Sequence, residues 1–195
     1  MRKKGEKFTT RPLEIEEYKN IIDLLNNGFK YTLEGKEKIF RPNTQIALAL
    51  SLQANLGLRI GDTLNLKLSS FKGNKLEVRE HKTDKLQYRE INPAITNMIM
   101  EYALENNIKK NDNLFRITPR AVQKQLKIVC DYLELEHISS HSFRKVYATN
   151  QYKENNNNIY LVKELLNHSS IATTQKYIRV SQKEIDKASS SHFIG

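Results

Sequence analysis

The chain has 195 residues, 38% of them apolar and 28% charged, enough for one ordinary domain with a real core and far from the composition of a disordered polymer. No apolar run approaches the roughly 20 residues that span a bilayer, and the opening MRKKGEKFTTRP lacks an apolar signal region; the expectation is a soluble, cytoplasmic protein with no membrane partner. Lys and Arg number 32 against 22 Asp and Glu, a net charge of +10, which suggests a polyanionic partner: nucleic acid first, an anionic membrane surface next, with a merely solubilising excess as the plain alternative.

The single Cys130 excludes an internal disulfide framework and a Cys-rich zinc site, and within LKIVCDYL it reads as a core residue. Residues 1–11 carry five basic side chains and little to bury, and read as a flexible basic arm. Thr10 before Pro12, followed by Leu13, Ile15, Tyr18, Ile21, Ile22, Leu24 and Leu25, predicts a capped amphipathic helix with proline in its first turn. A basic loop follows. Asn43 then opens a second helix, TQIALALSLQANL, whose near-continuous apolar character marks it as buried, and which stops at Gly57.

Residues 75–79 (KLEVR) and 86–91 (LQYREI) alternate polar and apolar side chains around the turn-forming HKTD, which predicts a small antiparallel hairpin. From Pro93 the pattern is helical, over 93–105, about 118–134, about 140–152, about 158–167 and a short stretch near 171–178. The breaks fall at 111–113, 137–140, the Asn run 155–158 and 167–170. The fold class that follows is α+β, mainly helical, with one small antiparallel sheet.

Three segments place phosphate-compatible side chains beside local structure that would fix them. In ANLGLRIGDTLNL, Arg59 follows a helix end and a glycine; its planar fork of donors suits phosphate oxygens and stays charged at any working pH. A salt bridge to Asp62 is the ordinary alternative. In HSFRKVYATN, His141 and Arg144 stand three apart on one helical face, where one can hold a phosphate and the other move a proton; by composition alone a surface pair is the commoner arrangement. In LVKELLNHSSIATTQKYIRV, His168 sits in a turn and Tyr177 lies nine positions on, a residue type that is ordinarily core or interface.

Read in order from about Thr10 to Val180, these segments resemble the catalytic domain of the tyrosine recombinases, the phage integrase family. Its first arginine box is matched by Gly57, Leu58, Arg59, Ile60 and Asp62; its second, His-x-x-Arg before a small apolar helix, by His141, Arg144, Ala148 and Thr149. Its third is matched by Leu166, His168, Ser169, Ser170, Ile171, Thr173, Thr174 and Tyr177, and the lysine of its β-hairpin turn by Lys82 in HKTDK. Each box is cheap alone; four in order on the expected elements are specific. Two positions depart from the pattern: Lys145 stands where many relatives have histidine, and Asn167 where glycine is usual. A separate core-binding domain, which closes a clamp around DNA in most relatives, has no room here; a naturally short recombinase and an excised catalytic domain are both compatible with this length.

The resemblance implies a tyrosine recombinase catalytic-domain fold over 12–180 and a C-terminal tail, 181–195, that docks on a neighbouring protomer or simply packs at the chain end. It implies a site-specific recombinase of a mobile genetic element that acts on double-stranded DNA through a 3′-phosphotyrosine. The expected assembly is a homotetramer on paired sites, from a monomer in solution, with a nucleoid-associated location. Tyr177 would be the nucleophile, with Arg59 and Arg144 on the non-bridging oxygens and His168 adding a hydrogen bond. A phenol with a pKa of about 10 needs a base near neutrality, a part suited to His141, and Lys82, preferred to Lys85, would protonate the leaving 5′-oxygen. No metal and no cofactor are called for. The helix beginning TPRAVQKQLK offers Arg120 for a guanine edge and Lys124 for a phosphate, with a solvated basic face as the equal alternative. Relaxation of DNA by a type IB topoisomerase and non-catalytic DNA binding are the competing functions.

Overall fold

Helix α1 (Ile15–Asn27) turns Ile21 and Leu25 fully inward, as its apolar spacing predicts, but its start corrects the sequence reading. The cap is Glu14 rather than Thr10, and Pro12 lies before the helix rather than in its first turn. The reason is that residues before Glu14 are occupied elsewhere. The carbonyl of Thr10 accepts from the Lys145 ammonium, and the Arg11 amide donates to the His137 carbonyl at 3.0 Å. The Arg11 guanidinium forks onto both Glu17 oxygens at 2.6 Å, while Glu17 also accepts from the Glu14 amide at 2.8 Å. Arg11, grouped with the arm by its sequence, is thus pinned at three points.

The computed structural model describes residues 10–79, 86–178 and 182–193. Residues 28–42, expected as a basic loop, form a second hairpin: β1 (Phe29–Leu33) pairs antiparallel with β2 (Lys36–Phe40). Glu34 and Gly35 form its two-residue turn, with φ of 53° and 72°, the double left-handed geometry that matches strand twist. Phe29 stacks on Phe40 with ring centroids 4.9 Å apart and lies 4.3 Å from the Tyr132 ring, which seats the hairpin base on the protein body.

Helix α2 (Thr44–Leu56) is buried along most of its length, as its apolar run demands, and is capped by the Asn43 side chain accepting from the Ile46 amide. A short helix α3 (Ile60–Leu64), too brief to show a periodic pattern, follows. The second sheet, in the order β3 (Phe71–Lys72), β4 (Lys75–Arg79), β5 (Leu86–Glu90), contains the expected hairpin plus one further short strand. Alternation along LQYRE would ordinarily put Leu86 and Tyr88 inside. Here both are exposed, and Gln87 and Arg89 share the inner face with Val78 and the fully buried Leu76, their cross-strand partners.

Helix α4 (Pro93–Glu105) coincides with its sequence reading, and α5 (Pro119–Tyr132) starts from a Thr118 cap with proline in first position. Val122, Leu126, Val129 and Cys130 form the buried face of α5, and burial pushes the Cys130 thiol up to about 12, so it is inert at neutral pH. Helix α6 (Ser140–Glu154) begins with Ser139 and Ser142 bonding each other's backbone: the Ser139 amide donates to Ser142 Oγ at 3.1 Å and the Ser142 amide to the Ser139 carbonyl at 2.9 Å. The chain divides into two compact units, Met1–Tyr147 and Ala148–Gly195. The first holds one continuous apolar core drawn from α1 to the start of α6. The second contains α7 (Ile159–Leu165), α8 (Ile171–Gln175) and α9 (Gln182–Ser190). Among the described residues no helix is long and apolar enough to cross a membrane.

The Arg11–Glu17 fork makes stability depend on pH in a definite sense. Its hydrogen bonds hold the Glu17 carboxyl below its ordinary value of 4.5, so the stabilisation is complete above that pH and fades as pH falls through the lower folded value. Glu17→Gln should lower stability by roughly 1 kcal/mol at pH 7, the upper end for a partly exposed pair. Thermal unfolding from pH 7 to pH 3 should show the two proteins converging at the acid end.

Candidate functional site

The turn between α2 and α3 is held carbonyl by carbonyl. Helix α2 ends at Gly57 in the left-handed conformation, φ 64°, and its amide donates to the Gln53 carbonyl at 2.9 Å, the usual way to close a helix. The four successive carbonyls from residue 56 to residue 59 then meet donors from four different elements. Leu56 accepts from the Arg89 guanidinium on β5, and Gly57 from Arg144 Nη1 at 2.5 Å. Leu58 accepts from the buried Gln53 side chain at 3.1 Å, and Arg59 from Thr63, through its amide at 2.9 Å and its hydroxyl at 3.0 Å. Arg59 is therefore fixed at the backbone as the N-cap of α3, with its guanidinium 3.9 Å from the buried Asp62 carboxylate.

Arg144 lies on α6 and is 1% exposed, which places a permanent charge in the interior on the carbonyl two residues before Arg59. The first arginine box and the arginine of the second are thereby brought together. His141, one turn earlier on α6, is exposed, and its amide donates to Ser139 Oγ at 3.2 Å. Gly57 is required twice over: a Cβ there would lie 2.3 to 3.0 Å from three atoms of the Tyr147 ring, and its φ is one that side chains disfavour.

The second unit assembles the third box. His168 is buried between α7 and α8; its amide donates to the Lys163 carbonyl at 3.0 Å, and its Nδ1 is 3.0 Å from Thr174 Oγ1. Thr174 is fully buried, and its carbonyl accepts from the Tyr177 amide at 2.8 Å. The Tyr177 ring is half-buried at 4.8 Å from the His168 ring, and the Tyr177 carbonyl accepts from the Thr149 hydroxyl at 3.4 Å. One threonine thus orients the imidazole with its side chain and places the tyrosine with its backbone. Asn167, where glycine is usual, has φ 53°, and asparagine is the side-chain residue that best tolerates that conformation. Lys145, the other departure, is buried on the Thr10 carbonyl.

Lys82 and Lys85 lie outside the described residues. Arg120 and Lys124 are exposed one turn apart on the first half of α5. The sequence reading missed the groups that hold the others in place: Gln53, Arg89 and Tyr147, which carried no local signal, and Thr174, which stood in a quoted motif without a role. Among the described residues no group of three or more His, Cys, Asp or Glu side chains is placed to hold a metal ion.

Residues 11–184 match the phage integrase family. The chain belongs to this family. It is 28% identical over 187 residues to tyrosine recombinase XerC of Caldanaerobacter subterraneus subsp. tengcongensis, covering 90% of this chain and 49% of that protein. It is 31% identical over 151 residues to a probable integrase/recombinase of Acholeplasma phage L2, covering 69% of this chain and 48% of that protein. The chain therefore spans about half the length of these two integrase-family relatives. Among solved structures, the catalytic domain of bacteriophage HP1 integrase superposes with a TM-score of 0.65 at 18% identity, covering 94% of this chain and 95% of that one. XerH site-specific recombinase, in a post-cleavage complex with its difH substrate, gives 0.71 at 19% identity, over 96% of this chain and 54% of the other. The phage integrase catalytic fold, α+β and mainly helical with small antiparallel sheets, is the fold of this chain.

Gly57→Ala should cost at least roughly 2 kcal/mol, from left-handed strain and overpacking together. In a Tyr147→Ala background the overpacking disappears, and the same substitution should cost only the strain, about 1 kcal/mol. Chemical denaturation of the four proteins of this cycle measures the coupling.

Proposed function

We propose that this chain is the catalytic part of a site-specific recombinase that cleaves and rejoins double-stranded DNA through a covalent 3′-phosphotyrosine. The observation that carries the reading is the His168–Thr174–Tyr177 arrangement, in which a buried imidazole and a tyrosine are set against each other by one threonine. The arginine clasp on Gly57 and membership of the phage integrase family support it. So does the likeness in fold to XerH, a site-specific recombinase seen bound to its difH substrate.

The chemistry dictates the division of labour. A phosphodiester carries negative charge that the transition state redistributes over the non-bridging oxygens, so positioned cations contribute most. Arg59 and Arg144 hold those oxygens, and His168 donates a further hydrogen bond. His141 takes the phenolic proton as the Tyr177 oxygen forms its bond to phosphorus. The bond from phosphorus to the 5′-oxygen breaks, and Lys82 gives that oxygen its proton, leaving a 5′-hydroxyl. The phosphotyrosine conserves the energy of the broken diester, so rejoining runs by the reverse steps with a 5′-hydroxyl as nucleophile. Residues 12–180 form the catalytic domain and 181–195 a tail that docks on a second protomer in a tetramer assembled on paired sites. Arg120 reads a base edge, and Lys124 and Lys85 contact phosphates, within a salt-sensitive electrostatic footprint.

The test uses a nicked suicide duplex carrying a site selected by this protein from a random-sequence pool. Wild type should trap as a covalent protein–DNA adduct, and Tyr177→Phe should give none; an adduct that persists in Tyr177→Phe would assign the nucleophile elsewhere, and its absence in wild type would sink the enzymatic reading.

On the same duplex, Lys82→Ala should cleave at least a hundredfold more slowly and Lys85→Ala within threefold of wild type. Replacing the 5′-bridging oxygen by sulfur, whose thiolate leaves without a proton, should restore Lys82→Ala. The opposite ranking of the two variants moves the proton donor to Lys85.

A further inference from the structure

Arg89 stands where a sheet ordinarily places an apolar residue. Its strand partner is the fully buried Leu76, its neighbours Leu86 and Tyr88 face outward, and its own side chain crosses from β5 to the end of α2. There the guanidinium donates to the Leu56 carbonyl, lies 5.7 Å from the centre of the Tyr147 ring, and reaches the Tyr147 hydroxyl at 3.4 Å. A cation at a helix C-terminus meets the negative end of the helix dipole and satisfies one of its orphan carbonyls. The face of an aromatic ring adds to the attraction. Tyr147 is also the ring that closes over Gly57. One side chain therefore touches both features that set the path of the chain into Arg59: the last carbonyl of α2 and the ring packed on its terminal glycine.

We propose that Arg89 is a positioning residue for the phosphate-binding arginine Arg59, acting through the Leu56 carbonyl and Tyr147 rather than by touching DNA. The role rests on the recombinase reading for its catalytic consequence but not for its structural one. Lysine does not replace it, because a single ammonium cannot cap the Leu56 carbonyl and reach the Tyr147 hydroxyl together, as the two ends of a guanidinium fork do.

The experiment has one arm that needs no DNA. In the free protein the Gly57 amide donates to Gln53 and the Thr63 amide to Arg59, so their hydrogen exchange reports the turn directly. Arg89→Ala should speed exchange at both amides at least tenfold and Arg89→Lys by a smaller factor. Tyr88→Ala, on the outer face of the same strand, should leave both unchanged. Exchange within twofold of wild type in Arg89→Lys and in a folded Arg89→Ala overturns the proposal. In the second arm, single-turnover cleavage of the nicked duplex at saturating protein should fall at least thirtyfold in Arg89→Ala with DNA affinity within threefold. The 5′-bridging sulfur substrate should not restore the rate. Full restoration would mean that Arg89 acts on the leaving group and would overturn positioning of Arg59. If wild type itself forms no adduct, the recombinase reading fails, and the exchange arm still decides whether Arg89 holds the turn.

Discussion

The bond from Arg144 to the Gly57 carbonyl is the constraint on which the first unit's site depends. A guanidinium cannot shed its proton at physiological pH, so an arginine 1% exposed keeps its charge in a medium that penalises it. The carbonyl it grips belongs to the residue that ends α2 and precedes Arg59 by two positions. That single contact converts two sequence-distant arginines into one rigid unit. In the proposed reaction that rigidity would count, because cations already in place stabilise a developing charge without the cost of moving to meet it. The three flanking carbonyls carry the same logic outward, each with its own donor, so that no peptide of the turn is left to reorient.

In the second unit a neutral residue does the corresponding job. Thr174 has no charge to offer and no solvent exposure, yet its hydroxyl meets His168 and its carbonyl meets the Tyr177 amide. The third box thus contains its own scaffold within ten residues. The first box has only half of one: Gln53 and Thr63 hold the Leu58 and Arg59 carbonyls locally, while the Leu56 and Gly57 carbonyls depend on Arg89 and Arg144 from distant elements. A local motif can be carried intact by sequence alone, whereas the arginine pair exists only in the folded chain.

That difference explains what could be read without coordinates. The proposed site residues Arg59, His141, Arg144, His168 and Tyr177 could be singled out because each is marked by immediate neighbours, and α4 was legible because Pro93 announces its start. The hairpin 29–40 was not, because Glu34–Gly35 is a weaker turn signal than Asn-Gly, and β2, with Lys36, Glu37 and Lys38 in succession before Ile39 and Phe40, shows no alternation to pair with that of β1. Thr10 was a plausible cap by type, but its carbonyl had a partner 135 residues away. Helix α3, at five residues, has no period to detect. Arg89 was invisible for a sharper reason: alternation in LQYRE favours Leu86 and Tyr88 inward, and the partners that draw Arg89 to the inner face instead, the Leu56 carbonyl and Tyr147, lie 33 and 58 residues away.

The opening surplus of positive charge accordingly has two kinds of member. Arg120 and Lys124 are exposed on α5, where salt screens their charge. Arg89 and Arg144 instead cap backbone carbonyls within the protein, where salt has little access. Exposure is no measure of an arginine's importance in this turn, since the two that cap its carbonyls, Arg89 and Arg144, fix the path of the chain into Arg59.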